Sequence, residues 1–210
     1  MTPKIAFGAA VSVRPENYLP FKSKIADIID DNDMNEVIHG LKTSNFSVTP
    51  EIRFYLANKG SFRGFYLAPF VKYANFNIST PYSFDIEASY EGTTIYNREE
   101  TIPLEGKLTT YTAGLSCGVN FKLTNKLHLD WRIIGPGYGF SKGNVSGELN
   151  LNQLEQSALR QSLDDFKESL SDLPVDIKMS YQVNDKGADL KIDKSPWATV
   201  RSGLSIAYSF

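Results

Sequence analysis

One cysteine, two histidines and no long apolar run set the first limits on this 210-residue chain. With Cys117 alone, no internal disulfide and no cysteine metal cluster can form. His39 and His128 lie far apart in the chain, so no histidine-based metal site is expected. No stretch of 18 or more apolar residues occurs, which excludes a transmembrane helix. Neither sign of charge dominates: 22 Lys and Arg face 24 Asp and Glu, for a net charge of -2. Without a basic face, nucleic acid is not an expected partner. A leader pattern is also missing, since Met1-Thr2-Pro3-Lys4 runs straight into an alternating stretch. Catalytic patterns are absent too. Ser202-Gly203 and Ser116-Cys117-Gly118 lack the nucleophile elbow, and the glycines of 135–139 lack the lysine and spacing of a phosphate loop. The acid pairs Glu99-Glu100 and Asp164-Asp165 read as solvated surface. No enzyme, cofactor or metal is expected.

What the chain does have is long period-two alternation. Tyr111, Ala113, Leu115, Cys117, Val119, Phe121 and Leu123 alternate with Thr112, Gly114, Ser116, Gly118, Asn120 and Lys122. Such a stretch is a strand with one apolar and one polar face. From Tyr111 to Phe121 it spans roughly 33 Å at about 3.3 Å per residue. Tilted by about 40°, it covers about 25 Å of height, the apolar band of an outer-membrane barrel with an aromatic near each rim. A mean hydropathy of -0.27 fits, because half of each strand would face a polar lumen.

The same alternation recurs at residues 4–14, 45–57, 62–78, 127–139 and 197–210, which gives six long strands with the 111–123 stretch. In the fifth, Leu127, Leu129, Trp131 and Ile133 are expected outside, and His128, Asp130 and Arg132 inside. Two connections are short turns, at 58–61 and 124–126. Three are long and polar, at 15–43, 79–105 and about 143–196. Short and long alternate, as periplasmic turns and external loops do in outer-membrane barrels. The Asp30-Asp31-Asn32-Asp33 run argues for a solvated loop in the first long connection, although 25–38 could form a short helix. In the last, Leu159, Leu163, Phe166, Leu170 and Leu173 form one helical stripe over 152–173. Asn152 and Glu155 resemble a capping box, and Pro174 ends the helix. A hairpin at 177–181 and 188–192 follows. The stretch about 143–196 is a candidate surface for a partner, and the chain reads as a single domain over 1–210. Phe210 closes the last amphipathic strand, like the signal that outer-membrane barrels present to their assembly machinery.

Pro50-Glu51-Ile52-Arg53-Phe54-Tyr55, Arg63-Gly64-Phe65-Tyr66-Leu67-Ala68-Pro69-Phe70 and Lys72-Tyr73 carry a resemblance. With Leu129-Asp130-Trp131, the glycines of 135–143, the acidic helix ending at Pro174 and Pro196-Trp197, they resemble a family of small Bacteroidota-type, OmpA-like outer-membrane barrels. That family is defined only as a domain of unknown function. The resemblance covers essentially the whole chain and implies no chemistry. It implies an all-β, antiparallel up-and-down transmembrane barrel of eight strands, with long external loops and one amphipathic helix. It also implies a signal peptide and one more hairpin ahead of Thr2-Pro3-Lys4-Ile5. Met1 is therefore expected to be an internal methionine, and the first and last strands to have free edges.

In this register Glu51, Arg53, Lys72, Asp130, Arg132 and Arg201 point inward. A lipid-facing Arg or Lys at mid-membrane costs about 2–4 kcal/mol, so these charges belong inside. An eight-stranded barrel is just wide enough for side chains to fill it. The expectation is a structural salt-bridge plug in a monomeric protein of a Gram-negative outer membrane, embedded in its lipid. Two alternatives are a narrow pore lined by the same charges and a soluble β-barrel that binds an apolar ligand.

Overall fold

The computed structural model describes residues 4–19, 22–26, 32–56, 62–90, 93–171 and 176–208. Phe210 lies outside them. One antiparallel sheet of seven strands runs through the molecule in the order β1-β2-β3-β4-β5-β7-β6. The strands are β1 (Ile5–Tyr18), β2 (Lys42–Tyr55), β3 (Gly64–Tyr90), β4 (Thr93–Lys122), β5 (Leu127–Glu148), β6 (Met179–Asn184) and β7 (Gly187–Tyr208). Among the described residues there are three helices, not one: α1 (Lys22–Ala26), α2 (Asn32–Gly40) and α3 (Gln153–Ser171).

The sheet curls strongly toward its polar face. Glu51 of β2 and Arg132 of β5 are three strand spacings apart, about 14 Å in a flat sheet. Their side chains nonetheless meet at 2.8 Å. Glu51 also reaches Arg201 of β7, one strand further on, at 3.0 Å. No pairing joins β1 to β7 among the described residues, so each keeps one free edge along the wall. Pro50 sits within the sheet rather than at its margin. The β2–β3 ladder skips from Val48–Tyr73 to Glu51–Phe70 around it, as a residue without an N–H requires.

The largest correction concerns the 79–105 connection, which is not a polar loop. β3 and β4 pair from Gly64–Asn120 to Tyr90–Thr93, with a single register shift between Ala88 and Ser89. Both prolines of the extension face each other, Pro81 opposite Pro103. They fall where β2 and β5 drop away, so both strands are edges there and tolerate them. The 143–196 connection is likewise built in. β5 runs on to Glu148, and β7 is continuous from the predicted hairpin into the last wall strand.

α3 packs on the inward face of the extended hairpin. Leu159 and Leu163 are fully buried with Tyr82, Phe84, Ile86, Ile102 and Leu104. The Tyr82 hydroxyl donates to the Ser162 carbonyl at 3.0 Å. Asn152 and Glu155 form the expected reciprocal cap: each backbone N–H donates to the other's side chain, at 2.8 and 3.0 Å. Arg160 donates to the Val183 carbonyl at 2.8 Å and ties the helix to β6. The Tyr181 hydroxyl donates to the Arg160 carbonyl. Burial pushes that hydroxyl's pKa up to about 12, and the nearby Asp164 carboxylate adds to the rise. α2 docks beside it, where Thr80 donates to the Val37 carbonyl at 3.2 Å. Asp30 and Asp31 lie outside the described residues.

Candidate functional site: a charged interior behind an apolar wall

The lower part of the sheet is apolar outside and polar inside. Leu115, Leu204 and Ile206 are 50, 69 and 71% exposed, all on the convex face. Val119 is the exception at 8%. It is paired with Phe65 on one side and Trp131 on the other. Cys117 lies in the same row, between Leu67 and Ile134. In β5 a bulge shifts the alternation: Gly118 pairs with Arg132 but Cys117 with Ile134. Ile133, expected outside, is the extra residue, and Ile134, Tyr138 and Phe140 take the outward places.

This polarity reverses at one level on three neighbouring strands. Outside, β3 passes from Val71 and Tyr73 to Asn75 and Asn77. β4 passes from Ala113 and Tyr111 to Thr109 and Lys107, and β5 from Tyr138 and Phe140 to Lys142 and Asn144. Tyr111 joins the row, 5.5 Å from the Tyr73 ring and 5.4 Å from that of Phe140. Inside, the reverse holds. Lys72 and Thr112 lie below this level, and Tyr82, Phe84, Ile102 and Leu104 lie above it, under α3.

Five of the six inward charges meet in one network. The Glu51 side chain, 3% exposed, accepts from Arg53 at 2.7 Å, from Arg132 at 2.8 Å and from Arg201 at 3.0 Å. Arg53 also pairs with Asp130 at 2.9 Å, and the Tyr66 hydroxyl donates to Asp130 at 2.9 Å. The planar fork of each guanidinium lets three cations share two carboxylates, although Arg132 Nε is buried without a partner among the described residues. Lys72 stays apart, with no ion pair or side-chain hydrogen bond among the described residues. His128 is buried against the Phe62 ring.

Sequence reasoning missed the rings that fill the space between these charges. Arg53 stacks on Tyr66 at 4.8 Å and Arg201 on Phe70 at 4.7 Å. The rings lie over glycines of the next strand. A Cβ on Gly118 would stand 2.5 Å from the Tyr66 oxygen, and one on Gly114 2.6 Å from Phe70 Cζ. The signal was present: Tyr66 and Phe70 share the period of Lys72, and Gly114 and Gly118 share that of Thr112. A Gly118→Ala substitution is expected to cost about 1–3 kcal/mol by overpacking. Gly8→Ala, whose nearest neighbour is a Glu51 carbon at an ordinary 3.5 Å, is expected to cost far less. Urea unfolding midpoints of the two variants check this, and equal midpoints refute it.

The arrangement defines a class: an up-and-down antiparallel sheet, curled around a charged, ring-filled interior and topped by a helix-bearing cap. Residues 9–157 match the family described as a protein of unknown function, DUF3575, and the chain belongs to it. No curated protein and no solved structure matches the chain.

Proposed function

We propose that this chain forms the wall of a small OmpA-like barrel in the outer membrane of a Gram-negative bacterium. Its interior is plugged, and it holds a folded cap at the surface for structural support or for binding a partner. The observation that carries the reading is the reversal of polarity at the Tyr73–Tyr111–Phe140 row. A water-soluble sheet has no reason to be apolar outside below one level and polar outside above it. A bilayer boundary gives that reason, with aromatics at the interface. The soluble alternative needs the apolar set inside, and the exposure of Leu115, Leu204 and Ile206 weighs against it.

The reading includes a closed ring of eight strands: six long strands of this chain and one further hairpin. A bilayer offers no partner to bare backbone, so the free edges of β1 and β7 must be occupied there. An in-frame hairpin and signal peptide in the upstream coding sequence would supply both. The family's Bacteroidota type, a monomeric state and recognition of Phe210 by the assembly machinery belong to the same proposal. The test is extraction. Carbonate-washed membranes are expected to retain the protein until detergent is added. Recovery in buffer as a native monomer would overturn the reading.

A narrow channel is the second reading, favoured by one observation. Arg53, Lys72, Arg132 and Arg201 make four inward cations against two carboxylates, Glu51 and Asp130. Stepwise anion-selective conductance in planar bilayers would support it, and a silent membrane fits the plug.

A further inference from the structure

The outward surface just above the aromatic row carries lysines that neither the interior network nor the cap core uses. Lys107 of β4 and Lys191 of β7 both pair with Asn144 of β5, one from each side. Two strand spacings, about 10 Å, separate their backbones. Lys142 sits one outward step lower, about 7 Å down β5, with its ammonium 5.7 Å from the centre of the Tyr111 ring. All three side chains are exposed. They line a shallow depression of about 600 Å³ with Glu105 and Asp193 also on its wall. Among the described residues none of the three lysines makes an ion pair.

We propose that Lys107, Lys142 and Lys191 seat the phosphate groups of an anionic membrane lipid. The inference rests on the membrane reading above, which fixes the depth of the cluster. Phe140 and Tyr111 would mark the end of the acyl region, and Lys142 is the next outward residue on its strand. The cluster then lies where lipid phosphates lie. Basic side chains at that level bind anionic headgroups, and an ammonium serves a phosphate well as a point charge. The flanking aromatic row would hold the acyl chains of the same lipid. A soluble anion would gain nothing from that row, so the lipid is the favoured source.

The test uses the whole chain in mixed micelles of phosphatidylglycerol and phosphatidylcholine, with retained lipid counted by native mass spectrometry. The wild type is expected to prefer phosphatidylglycerol by about tenfold, in line with the usual strength of headgroup–lysine attraction reduced by the two nearby acids. The triple variant Lys107→Gln, Lys142→Gln, Lys191→Gln is expected to lose that preference. Lys167→Gln on α3 is expected to keep it. No preference in the wild type, or an unchanged preference in the triple variant, overturns the proposal. So does complete displacement of the lipid by millimolar inorganic phosphate, which would make this a free-anion site. Insertion into phosphatidylcholine vesicles is scored separately. If the wild type fails to insert even with its upstream hairpin restored, the membrane reading falls and takes this inference with it. If it inserts without lipid preference, only this inference falls.

Discussion

Replacing Glu51 with alanine is expected to destabilise the folded protein by about 3–5 kcal/mol, the usual cost of removing one partner from a buried ion pair. Three guanidiniums converge on this one carboxylate, which is only 3% exposed. Its removal leaves Arg132 and Arg201 without any described counter-ion and Arg53 with Asp130 alone. On the proposed membrane reading those cations cannot turn outward, because lipid would penalise them further. Glu51→Gln keeps the volume but not the charge, and is expected to fall close to alanine. Lys72→Gln is expected to be neutral or stabilising, because it removes an unpaired cation. Reversible urea unfolding in vesicles, followed through the two tryptophans, measures all three. A Glu51→Ala midpoint equal to that of the wild type would show that the network contributes nothing.

An arginine at Leu115 is expected to cost about 2–4 kcal/mol, and an arginine at Thr109 only about 0–1 kcal/mol. Both sites are on the outward row of β4, six residues apart. Leu115 lies within the apolar band, while Thr109 is the first position above Tyr111. Only a low-dielectric layer at a defined height separates them so widely. On a protein surface in water, both substitutions would fall within about 0.5 kcal/mol of zero. Equal effects in vesicles would therefore refute the membrane assignment of this wall.

How legible this was in the sequence differs between the two halves of the molecule. In the wall each strand has one uniform environment per face, so period two reports it directly. Glu51, Arg53, Asp130, Arg132 and Arg201 were identifiable because only one face could hold them. The bulge at Ile133 was not, since two consecutive isoleucines fit either face. Above the aromatic row the faces exchange character. Tyr82, Phe84 and Ile86 still alternate with Pro81, Ser83 and Asp85, but the apolar set now lies inward. A scan for one continuous apolar face breaks at that point, so 79–105 read as a loop. α3 was legible because its stripe and its Asn152–Glu155 cap are local signals. Parity alone groups Lys72 with the other charges, and parity cannot say which charges touch.

The unshifted ladder from Gly64–Asn120 to Ala88–Tyr96 has a mechanical consequence. From Tyr73 to Ala88 the ribbon climbs about 50 Å at about 3.3 Å per residue, clamped over part of that length by α3. Nothing along it offers the bare stretch of chain that a hinge needs. The cap is thus a mast stepped into the wall rather than a flag on a rope. A pull on Ser83 or Phe84 arrives as torque at Lys72 and Thr112, whose strands it shares.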